Sequence, residues 1–271
     1  MPPSAAPPAD ASVPDDVVAF GPRPAPGAVR VTHPGRAALL AELGRRLHAR
    51  EGFTLATLNL DHVVKLRADP LFLAAYRRHS HVVADGNPIV WLSRLAGRGD
   101  VELVPGSELV APLAALARRE GAPVALLGAT EAALARAARR LEADHPGLRI
   151  ALRHAPPMGF DPEGAPAEAA VAALERAAPA GLCLLALGAP RQERFAAFAA
   201  PRLPGWGFAS VGAGVDFVAG DQRRAPPLAR RLALEWLWRA AGDPRRLGAR
   251  YARCALILPG LARRARAARS R

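Results

Sequence analysis

The chain has little of what many chemistries need. Of its 37 basic side chains only Lys65 is a lysine. It has two cysteines, Cys183 and Cys254, far apart and in no zinc or redox spacing. A reducing cytoplasm is therefore the expectation. Aromatic residues make up 5%. No apolar run approaches the roughly 18 residues of a spanning helix, so the chain is not expected to cross a bilayer. The first residues lack a basic start followed by an apolar stretch, so no secretory signal is expected. Asp-x-Asp, a Gly-rich loop ending in Gly-Lys-Ser/Thr, Gly-x-Gly-x-x-Gly, His-Glu-x-x-His and Gly-x-Ser-x-Gly are all missing. The histidines are scattered, and His62, His81 and His154 read as packing or surface residues. No metal and no cofactor is expected.

What is present is ample for a core: 271 residues, 51% hydrophobic and 23% charged. That bounds the chain to one large globular domain, with or without an appendage. The charge is uneven. From Gln222 onward there are 14 arginines against Glu235 and Asp243, which is +12 of the formal +13. Such a tail seeks an anionic surface, whether a membrane leaflet, a nucleic acid or a pyrophosphate. Residues 1–28 read as a Pro/Ala-rich, largely flexible tail in which Val17–Phe20 forms a short first strand. Residues 29–221 read as an α/β domain and 222–271 as a basic helical appendage, interrupted at Pro259-Gly260.

Within the domain, short apolar runs alternate with helical periodicity. Strands are expected at 54–60, 82–84, 123–127, 148–152, 182–187 and 208–211. Continuous apolar strands between helices imply a Rossmann-like parallel sheet flanked by helices, with ligands beyond the strands' carboxyl ends. That rule selects the residues after each strand.

Asp85 and Gly86 follow one strand; Asp-Gly is a turn dipeptide, and Asp85 in this place is also a candidate general base. Thr57 and Asn59 share a strand face, either as a satisfied buried pair or as ligand contacts. Gly188, Pro190 and Gln192 open a helix, which is either an ordinary turn or an anion site at a helix N-terminus. Gly212, Gly214 and Asp216 form a second such turn, with Asp216 able to accept a sugar hydroxyl. The tail places Trp236, Trp238 and Tyr251 among arginines. That suits a membrane interface, or a solvated basic face with one tryptophan packed inward. Leu256, Ile257 and Leu258 offer a shallow apolar insertion.

At these residues the sequence resembles the WecG/TagA/CpsF glycosyltransferases. The segments that carry the resemblance are Thr57-Leu58-Asn59, Asp85-Gly86, Glu102 to Gly106, Gly188 to Glu193, Val211 to Asp216, Ala219-Gly220, Arg224-Ala225-Pro226, Glu235 to Arg239, Pro244-Arg245-Arg246 and Arg250-Tyr251. The resemblance implies an inverting, metal-independent transfer in bacterial envelope-polysaccharide synthesis. The sugar would be N-acetylmannosamine, its uronic acid or glucose, taken from a UDP-sugar. It would pass to a polyprenyl-diphosphate-linked acceptor at the inner face of the cell membrane.

By the same resemblance Asp85 is the base, and Thr57 and Asn59 hold donor sugar and acceptor. Gln192 with the turn from Gly188 faces the donor, and Gly212 to Asp216 shape the nucleotide pocket. Residues 222–271 dock on the membrane and bring Arg224, Arg239, Arg245, Arg246 and Arg250 over the site. One departure stands out: Leu103 occupies the place of a family arginine near the donor phosphates, so a tail arginine is expected to substitute. Glu108 replaces an aspartate conservatively. Two other classes fit the composition: a basic nucleic-acid-binding protein and a nucleotide-cofactor enzyme. The localised charge and the missing glycine fingerprint count against them.

Overall fold

A computed structural model of the chain describes residues 17–23, 26–222 and 244–270. Its centre is a six-stranded, all-parallel sheet: β1 Phe53–Leu58, β2 His81–Ala84, β3 Val124–Gly128, β4 Ile150–His154, β5 Gly181–Ala186 and β6 Trp206–Ser210. The strand order is β2-β1-β6-β5-β3-β4. Ten helices occur among the described residues. They are α1 Arg36–Ala49, α2 Leu60–Ala68, α3 Pro70–Arg77, α4 Asn87–Leu95, α5 Gly106–Arg119, α6 Glu131–Asp144, α7 Ala165–Ala177, α8 Arg191–Ala199, α9 Gly214–Ala219 and α10 Pro244–Arg269. This is the Rossmann-like α/β architecture expected, with a C-terminal helix.

β1, β2, β3 and β6 are buried at every residue, and β5 at all but its last, because both sheet faces are covered there; the edge strand β4 ends in exposed Arg153 and half-buried His154. Alternate residues serve different cores. Phe53 and Leu55 pack with α1 and α5, together with Leu126, Leu184 and Val215. Ala56 and Leu58 face the opposite way, toward Val63, Leu66, Phe72 and Ile89 of α2, α3 and α4. Cys183, Leu185 and Phe208 on that second face meet Leu174 of α7 and Phe195 of α8.

Three elements depart from the sequence reading. Val17–Phe20 forms no strand: Val18 makes an isolated parallel bridge to Val29. Val17, Val18, Phe20, Val29 and Val31 are nonetheless buried with the α2–α4 core. The short helix α9 was not foreseen; Gly220, at φ 83°, closes it in the left-handed conformation. Helix α10 runs through Pro259 without a break. Proline there removes one backbone hydrogen bond, but Leu261 and Ala265, each 1% exposed, anchor the helix in the α2–α4 core, and tertiary packing outweighs propensity.

The same packing changes the reading of the apolar run at its centre. Ile257 and Leu258 are half-buried against that core, while Leu256 is 79% exposed. The part of the expected helical appendage that carries Trp236 and Trp238 lies outside the described residues.

Candidate functional site

Four neighbouring strands, β2, β1, β6 and β5, end side by side. Parallel strands lie about 4.8 Å apart, so their ends form a row spanning roughly 14 Å. The residues that follow them are Asp85, Asn59, Val211-Gly212 and Leu187-Gly188. The sheet thus brings the sequence-predicted residues into one line.

Asp85 and Asn59 are neighbours in that row. Leu58 and Ala84 are register partners, and the next residue on each strand is Asn59 and Asp85. The Asp85 N–H donates to the Leu58 carbonyl at 2.7 Å, extending the ladder one step and fixing where the carboxylate leaves the sheet. Gly86 follows at φ 113°, a conformation that disfavours any side chain, and starts α4. A Cβ on Gly86 would sit 3.9 Å from that of Asn59. Asp85 is half-buried.

Asn59 lies one residue beyond β1, not on it. Its side-chain oxygen accepts from the His62 N–H at 3.0 Å and caps α2. Thr57 stays inside β1, 4% exposed, against the start of α5. A Cβ on Gly106 would lie 3.1 Å from Thr57 Oγ1 and 3.4 Å from the Val211 carbonyl. The two residues therefore serve different elements, although both sit at the carboxyl end of β1.

On β5 the chain passes through Gly188, a cis Ala189–Pro190 peptide, and into α8. Pro190 is the N-cap rather than the first helical residue. Arg191 points outward; Gln192 and Glu193 are buried, at 3% and 0% exposure. The Gln192 amide donates to Glu193 Oε1 at 2.8 Å. Gln192 Oε1, Glu193 Oε2 and the buried Ser210 hydroxyl lack hydrogen-bond partners.

Burial raises the Glu193 carboxyl to about 7. Tyr76 is also pushed up, by burial first and then by the negative potentials of Glu193 and Asp85. Its hydroxyl lies 3.3 Å from His62 Nδ1. Burial, with Lys65 nearby, lowers His62 to about 3. Tyr76 and His62 thus form a buried polar pair within electrostatic reach of Glu193 and Asp85. Glu193 stood in the quoted motif and Lys65 as the lone lysine, but nothing in their spacing linked them.

On β6 the turn leads into α9. Gly214 is where that helix crosses α5: a Cβ there would lie 2.7 Å from Val110 Cγ2 and 3.2 Å from the Ser107 backbone. Gly214 thus has a packing role in addition to its place in the turn. Asp216 is half-buried in the first turn of α9. Burial and the charge of Asp221 raise its pKa. Arg136 of α6 holds the end of α9 by pairing with Asp221 at 2.6 Å.

Of the tail arginines, Arg250 is engaged by Asp61 at 3.1 Å. Arg245 and Arg246 fall on the first turn of α10, and Arg224 and Arg239 lie outside the described residues. Leu103 is 40% exposed and carries no charge into the site. Arg36, at the start of α1, pairs with Glu108 on the first turn of α5 at 2.7 Å.

Two cavities of about 360 Å³ lie at the opposite edge, by the strands' amino ends: one lined by Arg50, Glu120, Arg149 and Gly181, the other by Gly52, Arg78 and Ser80. Neither touches the row of strand ends, where the candidate acids, amides and helix N-termini converge. That edge is the candidate site. Among the described residues, no group of three or more His, Cys, Asp or Glu side chains could hold a metal, and no helix is long and apolar enough to cross a membrane.

Over 195 residues the chain is 27% identical to an N-acetylglucosaminyldiphosphoundecaprenol N-acetyl-beta-D-mannosaminyltransferase of Staphylococcus aureus strain MW2. The match covers 72% of this chain and 74% of that protein. The same-named protein of strain NCTC 8325 / PS 47 matches to the same extent. The model of the glycosyl transferase WecG/TagA/CpsF family matches residues 27–271, so the chain belongs to that family and is a glycosyltransferase of cell-envelope polysaccharide synthesis.

Proposed function

We propose that the protein transfers an N-acetylmannosamine-type sugar, its uronic acid or glucose from a UDP-sugar to a polyprenyl-diphosphate-linked N-acetylglucosamine. Transfer takes place at the inner face of the cell membrane, with inversion and without a metal. The observation that carries this is the pairing of Asp85 with Asn59 at the head of a row of four strand ends. The donor lies along that row of roughly 14 Å, with the acceptor at its Asp85 end.

Asp85 takes the proton of the acceptor hydroxyl as that oxygen attacks the anomeric carbon; the bond to the UDP oxygen breaks and UDP departs. Asn59 and Thr57 border the reacting sugar, and Gly86 lets it approach the backbone. Gly188, Pro190 and Gln192, with Gly212, Gly214 and Asp216, border the donor, where the N-termini of α8 and α9 favour developing negative charge. The arginines of residues 222–271 supply the remaining cations and meet the anionic leaflet. Each is worth about 1 kcal/mol near such a surface. The partners are thus donor, lipid-linked acceptor and membrane surface, with no nucleic acid.

The test is a transfer assay with a panel of UDP-sugars and a short polyprenyl-diphospho-N-acetylglucosamine. One donor should give a disaccharide-lipid product of inverted configuration. Absence of product with every donor, under conditions where UDP binds, would overturn the assignment.

A further inference from the structure

The single lysine of the chain stands where three elements meet. On α2, Lys65 Nζ donates to the Ala189 carbonyl at 3.1 Å, across 124 residues of sequence. The same ammonium lies 2.9 Å from Asp61 Oδ2, one helical turn earlier. Asp61 Oδ1 lies 3.1 Å from Arg250 Nε of α10. The Asp61 side chain is 12% exposed, and neither its Oδ2 nor Arg250 Nε has a hydrogen bond. The carboxylate is therefore held by the charge of two cations from two helices. One of those cations also holds the turn into α8.

We propose that Asp61 and Lys65 act as a positioning relay that couples the seating of α10 to the shape of the Gly188–Gln192 turn.

The residue types suit the task. An ammonium has three donors and no fixed plane, so it can serve a carboxylate and a carbonyl together. The carboxylate is largely withdrawn from water, so its attraction to each cation is stronger than at a surface. Removing Arg250 leaves one face of Asp61 uncompensated. The ammonium is then drawn wholly onto the carboxylate, and its bond to Ala189 is lost. The turn it releases carries Gln192 and Glu193, and Lys65 also stabilises the charged form of Glu193. Asp61, Lys65 and Arg250 thus shape the turn through contacts with one another and with its backbone. Their bearing on turnover rests on the function proposed above; the relay itself does not.

The test is hydrogen exchange in the full chain. The amides of Gln192 and Arg194, bonded to Gly188 and Pro190 carbonyls, report the turn. Arg250→Ala and Lys65→Met should each speed their exchange about fivefold or more, with the amides of β3 and β5 unchanged. The double variant should exchange no faster than either single one, and Arg250→Lys should restore protection. Arg250→Ala that loosens α10 alone, or additive effects in the double variant, would overturn the relay.

Asp61→Asn, which keeps shape and removes the charge that would draw the ammonium from Ala189, should leave Gln192 and Arg194 at wild-type rates even when combined with Arg250→Ala. Fast exchange at those amides in the combined variant would contradict the proposal. With a transferable donor in hand, Lys65→Met should raise its KM about tenfold while kcat stays within about threefold. Failure of the wild-type protein to transfer would refute the function and leave the exchange result standing.

Discussion

Gln192 donates its side-chain amide to Glu193 Oε1 at 2.8 Å, and both side chains are buried. The contact fixes the Gln192 amide and leaves a carboxyl group without solvent. Burial holds that carboxyl at about 7, against 4.5 in the unfolded chain. Its stabilising contribution is complete below pH 4.5 and is lost as the pH rises through 7. Burial holds His62 at about 3 and His79 and His81 at about 4, so their contribution runs the other way: it is present above 6.5 and lost on acidification.

The difference between Glu193→Gln and wild type isolates the carboxyl. The variant should gain stability relative to wild type from pH 4.5 to above 7, by up to about 3 kcal/mol. Urea unfolding at five pH values measures this, and a pH-independent difference would contradict it.

Gly214 sits where α9 crosses α5, and a Cβ would lie 2.7 Å from Val110 and 3.2 Å from the Ser107 backbone. Gly214→Ala should cost about 1–3 kcal/mol through overpacking. Thermal unfolding checks it. An unchanged melting temperature would show that the two helices part freely.

The C-terminal helix has two distinct faces. Leu261 and Ala265 are buried in the α2–α4 core and Leu256 is exposed. Leu261→Ala should destabilise by about 2–5 kcal/mol. Leu256→Glu should leave stability within about 0.5 kcal/mol and weaken co-sedimentation with anionic liposomes. Equal melting temperatures for both variants would contradict the packing, and undiminished liposome binding by Leu256→Glu would remove that face from the membrane account.

The missing Asp-x-Asp motif and the scattered histidines lead to a further expectation. Transfer should survive excess EDTA. Loss of activity with rescue by Mg²⁺ or Mn²⁺ would contradict it.

The sheet was legible because its strands are short, apolar and bounded by glycine or Asp-Gly. All six occur within about two residues of the expected ends, and the candidate edge follows from their direction. Asn59 was misplaced on the strand because capping of α2 through the His62 N–H competes with continuing the ladder. Helix α9 was missed because six residues with little periodicity gain their order from α5 and α6. The continuity of α10 through Pro259 depends on Leu261 and Ala265 finding a core built 200 residues earlier, which no local pattern carries. The contacts among Asp61, Lys65, Ala189 and Arg250 were illegible for the same reason: they join segments far apart in sequence through single charges.

The central claim is that Asp85, placed beside Asn59 at the ends of β2 and β1, takes the acceptor proton. The direct measurement is single-turnover transfer by Asp85→Asn at saturating donor and acceptor, paired with calorimetric UDP binding by the same variant. The account predicts a loss of about 10²-fold or more in the chemical step, with UDP binding within about twofold of wild type. Transfer at near wild-type rate by Asp85→Asn, in a variant that is folded and binds UDP normally, would contradict it.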